Sequence, residues 1–360
     1  MSLLGLPLYF SYLVKLYSKN LLAVLFGLSF AFAAIDYFQN VQQLDVASNY
    51  KILYIFYTWE AALGLLYPLA IIFALIMTKL SLVKNNTMTA LHAFGYDKKR
   101  LFLPVFSVAL VTYLLFFALS STEFSYARDK AWNIIDNQIG ADEVDDLFFK
   151  YNDTFVYIAK LDPVAKKIKD ITIFKVEGYQ VLYTISAPLA SFEAEKWIAH
   201  DATLKTHIYE NGNLSRYVVE HKERIETLEG YKHKIIESLY AGKSLTTIDA
   251  YQAWRLLGKQ HLNSDKIRAA FYDKAVVPLS SLMLALILFF KLPFHARMMN
   301  VGVVVSLALG VTFVIWGMLY GLGQIGLNGV LIPELTALLP IGLLAGVAVY
   351  VYFTDERSLA

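Results

Sequence analysis

Residues 52–77 read ILYIFYTWEAALGLLYPLAIIFALIM, an apolar run long enough to cross the bilayer core, which takes about 20 residues of helix. Comparable runs lie to either side. Leu8–Ile35 precedes it, and Leu101–Leu119, Ala275–Phe290, Val301–Tyr320 and Ile332–Phe353 follow. The Ala275 run is short, and Ala269, Ala270 and Phe271 extend it backwards. Six membrane helices are therefore expected. Ala31-Phe32-Ala33 fits a small-residue cleavage site. The apolar stretch before it is too long for a signal sequence, however, and Lys15 and Lys19 lie inside it, so an uncleaved first helix is expected.

Composition agrees. Of the 360 residues, 57% are hydrophobic and 17% charged, against about a quarter charged in a soluble domain. Mean hydropathy is +0.48. Of the 62 Asp, Glu, Lys and Arg residues, 40 lie between positions 121 and 265. Nearly apolar flanks thus surround an ordinary polar middle. A net charge of +2 without a basic run gives no case for nucleic acid, and the absence of cysteine excludes disulfides and thiolate chemistry.

Short-loop charge sets the expected orientation. The stretch from Lys79 to Arg100 holds Lys79, Lys84, Lys98, Lys99 and Arg100, and Lys291 to Arg297 adds two more. The Asp36–Lys51 loop carries one lysine and Gly321–Glu334 carries no basic residue. Excess Lys and Arg marks the cytoplasmic side, which puts both termini in the cytoplasm and the insert between helices three and four outside. Within the insert, Thr154–Lys160, Ile171–Val176 and Val181–Ser186 are β-branched and aromatic, with a tight turn expected at Glu177-Gly178-Tyr179. Lys196–His200, Leu204–Tyr209 and Arg216–Glu220 continue the pattern around a turn at Asn211-Gly212-Asn213. This predicts a mostly antiparallel β domain. A helix over Thr247–Leu257, capped by Ser244 or Thr246, leads back to the membrane. The expected organisation is helices one to three over 1–122, the β domain over 123–246, a connecting helix over 247–265 and helices four to six over 266–360.

Several motifs invite chemistry that their context denies. Gly321-Leu322-Gly323-Gln324-Ile325-Gly326 spells a dinucleotide fingerprint but follows a membrane helix rather than a strand. Gly242-Lys243-Ser244 ends like a phosphate-binding loop, yet position 237 is Glu. No ATP hydrolysis by this chain and no cofactor are expected. The seven histidines are scattered, and no metal site is expected. Gly317 with Gly321, and Gly342 with Gly346, are read as internal packing faces. The cluster Asp142-Glu143 with Asp145-Asp146 reads as a solvated linker. Asp36, at the outer end of helix one, is an ionisable residue at membrane depth and hence a functional candidate. In the loop from Ser81 to Arg100, Met88, Leu91 and Phe94 share a face at helical spacing, with Gly95 as a C-cap. Such a helix suits a lipid surface or a groove on a cytoplasmic partner.

The chain resembles the lipopolysaccharide export permeases LptF and LptG, in order and over nearly its whole length. The resemblance rests on Tyr12-Leu13-Val14-Lys15 leading to Asp36-Tyr37-Phe38-Gln39, and on Met88–Tyr96 (MTALHAFGY). It rests further on Phe271–Pro293 with Val277-Pro278-Leu279-Ser280, Arg297, Ile332-Pro333-Glu334 and Leu338-Leu339-Pro340. The first helix and the Pro333–Pro340 segment look closer to LptG. The resemblance implies a non-catalytic permease subunit of an ABC-type exporter in the bacterial inner membrane. Its partners would be a second, LptF-like permease, a cytoplasmic LptB-like ATPase dimer and a membrane-anchored periplasmic LptC-like protein. Lipopolysaccharide would be the cargo, and the periplasmic domain an open β-jellyroll. Met88, Leu91, His92 and Phe94 would form the ATPase-docking face, and Asp36, Phe38 and Tyr67 would line the lipid cavity. Two departures stand out. The family's coupling-helix Glu falls on Thr87, and the basic residues near the end of helix one give way to Asp36, Gln42 and Gln43. The absence of those basic residues implies a different phosphate contact, Lys51 or the partner subunit, or a less phosphorylated lipid. A permease of another envelope ABC complex, and a membrane enzyme with a periplasmic catalytic domain, are the rival readings.

Overall fold

A computed structural model describes residues 7–136, 144–151, 153–162, 165–210, 213–241, 243–260, 262–294 and 300–354. The chain divides into two compact units, residues 1–131 with 268–360, and residues 132–267.

The first unit is helical. Helices α1 (Leu8–Asn40), α2 (Ser48–Lys84) and α4 (Lys98–Leu119) flank a short α3 (Thr87–Ala93), and α5 (Ala127–Ile135) follows α4 in the chain. After the insert come α8 (Asp265–Ala275), α9 (Leu279–Lys291), α10 (Val301–Leu327), a π turn (Glu334–Leu338) and α11 (Leu339–Thr354). Among the described residues, five helical stretches are long and apolar enough to cross a membrane, and α8 with α9 make a sixth if the bent pair is one span. That pair bends by 41°. Pro278 has no N–H, and the Val277 N–H passes over Asp273 to the Tyr272 carbonyl (2.9 Å). The expected straight fourth helix is therefore broken near its middle.

Burial is uneven because the bilayer, not water, surrounds these helices. α2 buries residues around its whole circumference, whereas α1 buries one stripe, Leu13, Tyr17, Leu21, Leu25, Ser29 and Ala33. Polar pairs fix the α1–α2 register: the Tyr17 hydroxyl donates to the Ile71 carbonyl (2.9 Å) and Asn20 Nδ2 to Thr78 Oγ1 (2.8 Å). The glycine spacings behave differently from expectation. A Cβ at Gly317, Gly321, Gly342 or Gly346 would meet nothing within 4 Å, so these residues face open space and do not pack internally. The close approach is at Gly326 instead, where a Cβ would come within 2.5 Å of Thr336 Oγ1 and 3.6 Å of the Ala269 Cβ.

The second unit is built on one six-stranded antiparallel sheet: β1 (Val144–Tyr151), β2 (Thr154–Asp162), β3 (Lys167–Glu177), β4 (Gln180–Glu193), β5 (Lys196–Glu210) and β6 (Asn213–Thr227). Its spatial order is the sequence order, a meander with β1 and β6 at its edges. Gly178, at φ +60°, makes the β3–β4 turn. Of the expected second turn, Asn211 and Gly212 lie outside the described residues and Asn213 opens β6. Alternation puts Leu147, Phe149, Val156, Ile158, Ile171 and Ile173 on the buried face, while Leu161 and Ile168, paired with each other, are buried out of that phase, with Asp170 at φ +52° in between. They pair across strands, as in Leu147–Ile158–Ile171–Ala187. The buried Trp197 donates from Nε1 to the Tyr231 carbonyl (2.7 Å), and Tyr231 closes over Phe149 and Tyr151 at ring distances of 6.0 and 5.4 Å. α6 (His233–Ala241) and α7 (Thr247–Lys259) complete this unit, and Thr246 caps α7 by accepting from the Asp249 N–H (3.0 Å). The acidic linker reading needs correction. Asp142 and Glu143 lie outside the described residues, but Asp145 and Asp146 belong to β1, where Asp146 accepts from the Tyr157 hydroxyl (2.7 Å).

Candidate coupling helix and lipid-facing residues

α3 ends as its sequence predicts. Gly95 takes φ +82°, the Gly95 N–H reaches the His92 carbonyl (2.9 Å) and the Tyr96 N–H reaches the Leu91 carbonyl (3.2 Å). Its side chains split into two sets. Met88 is buried in the helical core and Leu91 packs against that core. Phe94 stands 81% exposed, beside the exposed Thr89, Ala90 and Ala93. His92 lies between, its ring 5.9 Å from Phe294. The four residues thus do not form one outward face: Met88 and Leu91 hold the helix to the bundle, and Phe94 projects from it.

Beside α3 is a buried lysine. Lys79 Nζ donates to the carbonyls of Phe289 and Leu292, the latter at 2.6 Å, and lies 4.0 Å from the centre of the Phe294 ring. The chemistry follows from Pro293. A helical carbonyl expects the N–H four residues on, and for Phe289 that residue is a proline with no N–H. Lys79 supplies the donor, and its charge suits the negative end of α9. By sequence alone Lys79 is one more charge of the Lys79–Arg100 stretch. Its place directly after Ile76-Met77-Thr78, inside an apolar run, was the available signal.

At the other end of α1 and α2, the Tyr54 hydroxyl donates to Asp36 Oδ1. Asn40 Nδ2 bridges to the Tyr54 hydroxyl (3.1 Å) and the Asp36 carboxylate (3.3 Å). Asp36 therefore ties two helix ends together. Phe38, two residues on, is 74% exposed, and Lys51 is half-buried near the start of α2. Tyr67 is buried and stacks on Phe116, with ring centres 4.3 Å apart and planes 4° from parallel. The structure brings Asp36 to Tyr54 and Tyr67 to Phe116.

One polar cluster and one exposed stripe escaped the sequence. Arg268 pairs with Glu334, which also accepts from the Tyr272 hydroxyl (3.3 Å), so α8 is held to the π turn. On the sheet, Leu214, Tyr217, Val218 and Val219 are exposed along the edge strand β6. Among the described residues, no group of three or more His, Asp or Glu side chains is placed to hold a metal ion.

No curated protein sequence matches the chain significantly. A family model described as lipopolysaccharide export system permease LptF/LptG matches residues 11–353, without separating the two subunit types. With a bundle of candidate membrane spans, an inserted antiparallel sheet and a match over almost its entire length, the chain belongs to the lipopolysaccharide export permease family LptF/LptG.

Proposed function

We propose that this permease is one of two transmembrane subunits of an ABC-type exporter that lifts lipopolysaccharide from the inner membrane and passes it to a periplasmic bridge. Both termini and α3 then lie in the cytoplasm, and residues 132–267 in the periplasm. The observation that carries this reading is the divided face of α3. A helix of this size that turns Phe94 outward while seating Met88 and Leu91 in the bundle is suited to take a push from a partner. The partner is an LptB-like ATPase dimer, and the push passes inward through Met88 to α2 and through His92 and Phe294 toward α9. Thr87, where the family's acid stands, leaves that contact without a charge at this position.

On the periplasmic side, the sheet offers an open edge, where backbone donors and acceptors await a neighbouring strand. An LptC-like domain is the neighbour we assign there, with the second permease completing the cavity. For the lipid we retain Phe38 and Lys51 as contact residues, while Asp36 and Tyr67 act by fixing α1 to α2 and α2 to α4. Lys51 is the assigned phosphate contact. We place the chain nearer LptG, on its first helix and its Pro333–Pro340 segment.

The test is purification of the tagged chain in mild detergent with Phe94 intact or as Phe94→Ser. Recovery of an ATPase and a second permease with the wild type, and loss of the ATPase alone with the variant, supports the reading. An intact protein that retains no ATPase in either form removes it.

A further inference from the structure

Beneath the bend between α8 and α9 lies a cavity of about 80 Å³ that the coupling and lipid-facing residues leave unused. It is bordered by Asp273 from α8, Pro278 and Ser280 at the start of α9, Gly64 and Pro68 from α2, and Trp316 with Tyr320 from α10. Three features converge. Asp273 brings a carboxylate, for which no hydrogen bond or ion pair is found among the described residues; the neighbouring cation is Lys274, next in the chain. Pro68 has no N–H to offer the Gly64 carbonyl, and Val277 bypasses the Asp273 carbonyl, so backbone acceptors at this cavity lack their usual donors. Trp316 and Tyr320 stack 5.6 Å apart at 16° and line the same cavity as the acid.

All three favour the same guest. A carboxylate, spare carbonyls and aromatic faces attract a cation that donates hydrogen bonds, and they repel an anion. A single carboxylate is a poor cage for a divalent metal ion, and among the described residues no group of three or more His, Asp or Glu stands ready to hold one. A primary ammonium group, with three N–H donors on a small head, fits both the size and the chemistry. Depth agrees as well. Asp273 lies five residues along α8 from Arg268, or about 8 Å at 1.5 Å per residue, below the ion pair of Arg268 with Glu334. A charge at such a depth is within reach of a lipid headgroup drawn down from the interface.

We infer that the Asp273 cavity is a binding site for a primary ammonium group, of the kind carried by an aminophospholipid headgroup. This rests on the spans lying in a bilayer and not on the export reading, so either can fail alone.

The experiment is native mass spectrometry of the purified protein with its co-purifying subunits. It is titrated with dioleoylphosphatidylethanolamine, with dioleoylphosphatidylglycerol, and with ethanolamine alone. We expect phosphatidylethanolamine to be retained roughly tenfold better than phosphatidylglycerol, the scale of one charge-assisted contact. Asp273→Asn should abolish that preference and Asp273→Glu should keep most of it. Trp316→Leu, which leaves the carboxylate in place, should weaken it several-fold and serves if Asp273→Asn fails to fold. Displacement of the lipid by ethanolamine alone would keep the ammonium site and identify the headgroup as its source. Equal retention of the two lipids, or an unchanged preference in both Asp273→Asn and Trp316→Leu, would overturn the assignment.

Discussion

Replacing Lys79 by methionine isolates the clamp that closes the end of α9. Methionine keeps most of the stem volume and removes the ammonium. Two charge-assisted hydrogen bonds disappear, to the Phe289 and Leu292 carbonyls, worth about 1.5–3 kcal/mol each before desolvation is counted. The contact with the Phe294 ring at 4.0 Å adds about 0.5–2 kcal/mol. Against this, the variant no longer holds an ammonium away from water, a relief of several kcal/mol. The remainder is the cost of buried carbonyls left without donors. Pro293 cannot restore the one at Phe289, so the net loss should be about 2–3 kcal/mol. Unfolding of the purified protein in dodecyl maltoside by added dodecyl sulfate, followed by circular dichroism, reads this directly. Lys79→Arg, which keeps charge and donors in a wider head, should fall between the two. If Lys79→Met matches the wild type to within about 0.5 kcal/mol, the desolvation relief equals the clamp, and the argument from Pro293 is refuted.

Other outcomes follow from the same geometry. Gly326→Ala should destabilise by about 1–3 kcal/mol through its clash with Thr336, with recovery in the Gly326→Ala/Thr336→Ala pair; Gly321→Ala, in open space, should not, and detergent unfolding separates them. Trp197→Ala should cost the sheet about 3–5 kcal/mol, visible as faster proteolysis between residues 144 and 227 with the membrane spans intact. His233 is held by burial, and further by Lys234, Lys166 and Lys232, at a pKa of about 4, with Asp249 opposing. Its unfolded form takes up a proton near pH 6.5. Stability from this group is therefore complete above pH 6.5 and lost as pH falls toward 4, by at most about 2 kcal/mol after solvent screening. His233→Asn should flatten that slope in a pH series of thermal melts. Lys51→Ala should lower lipopolysaccharide crosslinking and export if Lys51 meets the phosphates; unchanged crosslinking sinks that assignment.

The membrane spans were legible because a bilayer accepts only long apolar runs, and residues 52–77 announce one without any partner. Strands β2 to β6 were legible from β-branched alternation, although β5 appeared as two pieces because Asp201 interrupts it at φ +52°. β1 was not. Asp145 and Asp146 mask a strand whose inward residues are only Leu147 and Phe149, and its identity comes from pairing with β2. The bend at Pro278 was visible as a proline, but its consequence, a carboxylate beside an aromatic cavity, depends on α2 and α10 arriving from elsewhere in the chain. The split of α3 was hidden for a related reason. Periodicity places Met88, Leu91 and Phe94 on one face without saying that the bundle takes two of them and leaves the third. Gly317 and Gly342 show the converse, a spacing that permits close packing with no neighbour within 4 Å of an added Cβ among the described residues.

The meander of the insert sets an order of assembly. Each strand from β1 to β6 pairs with the one made just before it, so every hairpin closes a short loop, and the sheet can grow one strand at a time as the chain emerges. The bundle has no such freedom. Lys79 meets the carbonyl of Phe289 across 210 positions of sequence, so that contact forms only after the whole insert has been made and α9 has entered. The soluble half can therefore be finished while the membrane half is still waiting, and closure of that last contact marks the point at which the permease becomes one object.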